Sequence, residues 1–200
     1  MHNTEKSILL HVCCAPCLAT ALATLEGSVH LALPPIAGVF FYNPNIHPLL
    51  EFRRRTKALR LYLEREPLSA EIDDEYGLPR YLETVNWRGG RAERCAGCYA
   101  MRLGKTAERA KALGLEGFTT TLLASREQDR DCVREVGERA AKRCGVRFFT
   151  ADLRQLLPDE KRLRGIYKQQ YCGCVFSEEE RYRETAKHLY RPGGTRDHEE

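Results

Sequence analysis

Seven of the nine cysteines stand in three tight groups: Cys13, Cys14 and Cys17, then Cys95 and Cys98, then Cys172 and Cys174. Cys132 and Cys144 fall outside them and read as ordinary buried thiols in helices. Each group lies beside a turn or a helix start, which indicates metal or redox chemistry rather than a disulfide framework. The chain reads as cytoplasmic, where thiols stay reduced. Met1–Lys6 leads only into the short run Ser7–Val12, with no signal-peptide core, and no apolar run approaches the roughly 20 residues of a membrane helix. With 200 residues, 42% hydrophobic and 30% charged, the expectation is one globular domain over 1–190 and a polar tail over 191–200.

Strand-like and helical stretches alternate along the chain. Ser7–Val12 reads as a buried strand ending at Cys13, and Pro16 suits the first turn of a helix reaching Leu25. Ile36–Tyr42 is a second strand, stopped by Asn43-Pro44-Asn45. A helix follows over Leu49–Glu64, with Leu50, Leu59 and Leu63 available for its apolar face. Leu68–Ile72, Gly117–Leu123 and Val146–Phe149 read as further strands. Helices are expected over Pro79–Val85, Arg94–Leu113, Asp131–Arg143, Asp159–Gln169 and Ser177–His188. This order predicts an α/β fold with a mostly parallel sheet, whose ligands bind beyond the carboxyl ends of the strands. Cys13, Cys14 and Asn43-Pro44-Asn45 lie at such ends.

Thiolates bind soft metals, and Cys95-Ala96-Gly97-Cys98 at a helix start can aim two sulfurs at one ion. Cys13 and Cys14 supply a complementary pair. Four thiolates from two elements match either zinc or an iron–sulfur cluster. A chain able to build its own core favours the cluster without excluding zinc. Cys172-Gly173-Cys174 would close a small strained ring on oxidation, which suits a pair cycling electrons, although further metal ligation stays open.

The net charge is only +4, yet eight of the 32 basic residues are lysine and 24 are arginine. Arginine favours bidentate phosphate contacts, so RNA is a candidate partner. Arg88, Arg91, Arg94, Arg102 and Lys105 bracket the Cys95 pair, and Arg53, Arg54 and Arg55 form a second cluster. Tyr42, His47 and Asp152 are candidate proton donors, His11 reads as a core histidine, and Trp87 is a candidate for stacking on a base.

Leu10–Cys17, Phe41–Pro48, Cys95–Tyr99 and Gln170–Ser177 together resemble the QueH-type epoxyqueuosine reductases, in the same order along the chain. The resemblance implies a cobalamin-independent oxidoreductase that removes the epoxide oxygen of epoxyqueuosine at the wobble position of tRNA. It implies a Rossmann-like three-layer sandwich of the adenine-nucleotide hydrolase (HUP) group. Cys13, Cys14, Cys95 and Cys98 would hold a [4Fe-4S] cluster, Cys17 an additional iron, and Cys172 and Cys174 would be the redox-active pair. Tyr42, Asn43, Arg54 and Arg91 are the expected substrate or tRNA contacts. The partners would be tRNAs with a GUN anticodon and an unidentified electron donor, with no membrane. Ser125–Asp129 departs from the family's usual proline-bearing loop, so no substrate role is carried over to it. Alternatives are a zinc-binding RNA adaptor and a sulfur-transferring tRNA enzyme; the latter lacks its glycine-rich phosphate loop here.

Overall fold

The computed structural model describes residues 7–27, 33–157 and 160–183. Its frame is five parallel strands: β1 (Ile8–His11), β2 (Ile36–Phe41), β3 (Ala70–Ile72), β4 (Gly117–Thr120) and β5 (Arg147–Phe148). They lie in the order β3-β2-β1-β4-β5. Leu10 sits opposite Val39 on one side and Thr119 on the other. Chain order reverses between β1 and β4, and this switch point is where an open α/β sheet presents a crevice to ligands.

The two-residue period of the strands sorts the core onto two faces. Leu10, Val12, Val39 and Phe41 pack with α1 (Ala15–Gly27) and α2 (Leu49–Leu63). Leu9, Phe40 and Phe118 pack with α4 (Arg91–Ala112) and α5 (Arg130–Cys144). The short α3 (Leu78–Thr84) lies against α4, and α6 (Val175–Tyr182) follows the last cysteine pair. The result is the expected three-layer α/β sandwich with a wholly parallel sheet, consistent with a Rossmann-like fold. Local signals set the boundaries of α5: the Asp129 carboxylate accepts from the Cys132 N–H, and Gly145 ends the helix at φ 70°.

Several expected elements shift. The fourth strand stops at Thr120, where the Thr120 hydroxyl accepts the Leu122 N–H and starts a 3-10 turn over Thr121–Ala124. Leu50 is exposed, because nine residues separate it from buried Leu59, half a turn out of phase; Phe52, Leu59 and Tyr62 make the apolar face instead. The helix expected over Asp159–Gln169 is a run of turns in its described part, closed by bonds such as Leu163 N–H to Glu160 O and interrupted by Gly165 at φ 73°. The last helix runs over Val175–Tyr182, and its expected continuation to His188, like the tail 191–200, lies outside the described residues.

Candidate metal and redox site

Cys13, Cys14 and Cys17 occupy the end of β1 and the first turn of α1, at the switch point of the sheet. Their sulfurs lie within 4.8 Å of one another, the one group among the described residues with metal-site spacing. The Cys13 and Cys14 sulfurs are 3.7 Å apart. The neighbouring strand end fixes this turn: Thr121 accepts the Cys13 N–H at 3.0 Å and donates to the Cys13 sulfur at 3.3 Å. Gln169 donates to the Cys14 sulfur at 2.8 Å. Contacts from Cys14 and Cys17 hold the Cys13 thiol well below its usual range against the pull of burial, with help from Arg102. Burial pushes Cys14 up, and the hydrogen bond to Cys13 pushes Cys17 up. Thiols this close together and this buried are the soft donor set that a bound metal ion would share.

Cys95 and Cys98 stand one turn apart at the start of α4 and line a second cavity with Cys172 and Cys174. Cys172, Glu127 and Gln128 border both cavities. The four thiols that the resemblance assigns to one cluster therefore line two adjoining cavities, and Cys17 joins Cys13 and Cys14. Burial raises Cys98 to about 12 and also raises Cys95 and Cys172.

Between the cavities lies Arg102, a correction to its expected place in a surface patch. It is 2% exposed, donates to Asn43 Oδ1 at 2.6 Å and lies 3.9 Å from the Cys98 sulfur. Burial opposes its charge, but Cys98, Cys13 and Cys172 hold the proton on. A buried guanidinium facing thiols from all three groups favours an anionic occupant. Asn43, expected at the substrate, spends its amide within the protein: it donates to Val12 O at 2.8 Å and accepts from Arg102.

Arg55 is likewise buried rather than part of a surface cluster. It pairs with Glu51 at 2.6 Å and donates to Cys172 O at 2.8 Å and Tyr171 O at 2.9 Å. Tyr167 donates to the other Glu51 oxygen at 2.7 Å. The His47 N–H donates to Gly173 O at 2.7 Å, and Tyr171 donates to His47 O at 2.6 Å. These bonds clamp the Cys172-Gly173-Cys174 segment, which no strand supports, onto the β2–α2 corner. Gly173 has φ 140°, and a Cβ there would meet Arg55, Asn45 and Ile46.

Among the candidate proton donors, Tyr42 is buried with its hydroxyl 3.2 Å from Arg80. Burial lowers His47 to about 4, so it is neutral at pH 7. Asp152 borders neither thiol cavity; it pairs with Arg130 in a separate cleft. His11 is the expected core histidine, bonded to Thr120 and Tyr42 O. Arg91 reaches the mouth of the second cavity, 3.5 Å from Glu180, and Arg54 is exposed on α2. Trp87 is 47% exposed with the Arg88 guanidinium over its ring. Sequence reading missed Arg102, Arg55, Gln128 and Gln169 as site residues. Helical spacing held a clue for two, since Arg102 follows Cys98 by four residues and Arg55 follows Glu51 by four.

The family profile described as "Epoxyqueuosine reductase QueH" matches residues 8–180. Three curated proteins of that name align over most of the chain. The one from Dehalococcoides mccartyi is 35% identical, covering 88% of this chain and 94% of the relative. That from Thermotoga maritima is 34% identical over 86% and 90%. The Haemophilus influenzae protein is 32% identical over 86% and 72%. With the thiols gathered at the switch point and this similarity running nearly end to end, the chain belongs to the epoxyqueuosine reductase QueH family.

Proposed function

We propose that the chain is an epoxyqueuosine reductase acting on tRNA, taking the epoxide oxygen from the wobble base and leaving queuosine and water. The observation that carries this reading is the convergence of all three thiol groups around the buried Arg102 guanidinium, in a chain of this family. Cys13, Cys14, Cys95 and Cys98 are the ligands assigned to a [4Fe-4S] cluster, and Cys17 to an additional iron. The donor set fits: soft sulfurs gathered at the sheet end and a buried guanidinium beside them for an anionic centre. Such a cluster, when bound, supplies single electrons.

The remaining roles belong to the chain. Removing an epoxide oxygen as water takes two electrons and two protons, and a dithiol holds both. Cys172 and Cys174 suit that role because the Arg55 and His47 clamps hold their segment where the cavities adjoin, with Cys172 bordering both and Cys174 the one lined by Cys95 and Cys98. Asn43 and Arg102 keep the β2 end and α4 in register. Arg91 and Arg54, with Trp87 and Arg88, offer the backbone and base contacts for tRNA, whose GUN anticodons the resemblance implies. The electron donor is a separate reductant, and the cytoplasm is the expected compartment; among the described residues no helix is long and apolar enough to cross a membrane.

Iron, sulfide and zinc analysis of anaerobically purified protein tests the reading, together with conversion of epoxyqueuosine tRNA. About four irons with matching sulfide, with or without a further iron at Cys17, accompany turnover if it holds. One zinc without sulfide under iron-replete expression moves the chain to a zinc-binding RNA adaptor.

A further inference from the structure

At the mouth of the cavity that Cys95 and Cys98 line, one carboxylate bridges two arginines. Glu180 on α6 sets one oxygen 3.5 Å from Arg91 Nη1 and the other 3.5 Å from Arg94 Nη2. Both contacts are long for charge-assisted bonds, which ordinarily close to about 2.7–2.9 Å. Arg94 is oriented by its own loop rather than by Glu180. Its Nη1 donates to Gly89 O at 2.6 Å, and its guanidinium carbon lies 4.4 Å from the centre of the Phe176 ring. That leaves Nε and Nη2, the two donors along one edge of the fork. Nη2 reaches only as far as the loose Glu180 contact, and the buried Nε has no partner among the described residues. Such an edge suits two oxygens of one anion, and Glu180 offers it one.

The surroundings also favour an anion. Both arginines lie in the first turn of α4, a 22-residue helix whose N-cap, Gly90, supplies no side-chain cap. Its free N–H groups add to the positive end. The first-turn carboxylate, Glu93, is engaged elsewhere, accepting from the Asn86 amide at 2.7 Å. By contrast, α6 is thinly held, since none of its residues is buried. Glu180 and Arg91 are both solvent-exposed, so their pair adds little to stability and yields to a ligand with closer oxygens.

We propose that Arg91 and Arg94 form a phosphate subsite, that Glu180 occupies it in the free protein, and that a backbone phosphate of the tRNA displaces this carboxylate as the modified nucleotide enters the cavity. Glu180 is then an internal competitor of the substrate: one anion replaces another, and α6 is released from the cavity mouth. The proposal deepens the proposed function and rests on its tRNA substrate.

The test is the affinity of the anaerobic, metal-loaded protein for epoxyqueuosine tRNA, read by fluorescence anisotropy at fixed salt. Glu180→Gln removes the competitor and is expected to tighten binding about fivefold, the scale of one exposed ion pair. Glu179→Gln makes the same charge change one residue away, where the carboxylate pairs with Arg183 at 2.7 Å. Screened attraction alone then tightens binding less than about twofold. In an Arg91→Ala/Arg94→Gln background, Glu180→Gln brings no gain. Glu180→Gln binding no tighter than wild type, Glu179→Gln matching it, or a gain that survives loss of both arginines each overturns the proposal. The two glutamate variants decide if the arginine variant does not fold. Turnover of the same tRNA is followed in parallel. A wild type that never turns over, while Glu180→Gln binds tighter as expected, defeats the proposed activity and leaves the subsite standing. Turnover without any gain from Glu180→Gln defeats the subsite alone.

Discussion

The two thiol regions are built in different ways. Cys13, Cys14 and Cys17 follow directly from β1 and α1, so the register of a central parallel strand places them, and Thr121 on the adjacent strand end locks the turn. Cys172 and Cys174 sit on irregular chain, and their place depends on side-chain and loop bonds spanning more than 100 residues of sequence: Arg55 to two carbonyls, His47 to Gly173 O, Tyr171 to His47 O. A site seated on a sheet end inherits the stability of the core. A site held by a clamp can be loosened while the core stays intact.

Disrupting the sheet-end group should have the largest effect. Cys14→Ser removes one of the three sheet-end thiols proposed to hold metal. Since losing even a residue that supports a ligand costs 10–100-fold, turnover is expected to fall below about one hundredth, with iron content falling in parallel. Retention of full iron and turnover would show that this group is not the metal site.

The clamp should yield differently. Arg55→Ala leaves Glu51 as an uncompensated buried charge and is expected to cost about 3 kcal/mol in urea denaturation, with part recovered in the Arg55→Ala/Glu51→Gln double variant. Turnover falls while iron at the sheet-end group is retained. Iron lost along with turnover would remove the distinction between the two regions.

The clamp also carries a pH dependence. His47 titrates near 4 in the folded chain and near 6.5 unfolded, so the unfolded state takes up the proton first as pH falls. Stability is therefore full above about pH 6.5 and declines toward pH 4, by at most about 3 kcal/mol from this residue. Urea midpoints of wild type and His47→Gln across that range check it: the variant should lose less, because the losses common to both cancel.

The smallest effect belongs to the rim. Arg91→Ala is expected to weaken tRNA binding a few-fold and to lower the slope of log affinity against log salt by about 0.7, the share of one single-strand phosphate contact. Arg102→Met should instead leave that slope unchanged, since Arg102 is buried.

Much of this was legible in the residues. The apolar runs near β1, β2 and β4, the turn after each, and the three cysteine groups identify a parallel α/β sheet with thiol chemistry at its carboxyl end. The expected helix over Asp159–Gln169 failed because its apolar residues Leu163 and Ile166 pack onto the α1–α2 layer from a run of turns, an arrangement that helical spacing does not distinguish. The arginines were the least legible. Arg53, Arg54 and Arg55 are consecutive, yet the first two are exposed and the third is buried in an ion pair.

By itself, then, the sequence determined which atoms are available: seven clustered thiols, their places after strands and at helix starts, and a family resemblance carried by four short motifs. Tertiary structure decided which of them meet. Gln128 reaches Cys172, and Arg102 turns inward to face sulfurs from distant parts of the chain. The physical reason is that burying a guanidinium or an amide is tolerable only where the fold supplies partners. Those partners lie 44 residues away for Gln128 and 59 for Arg102, beyond anything local spacing encodes.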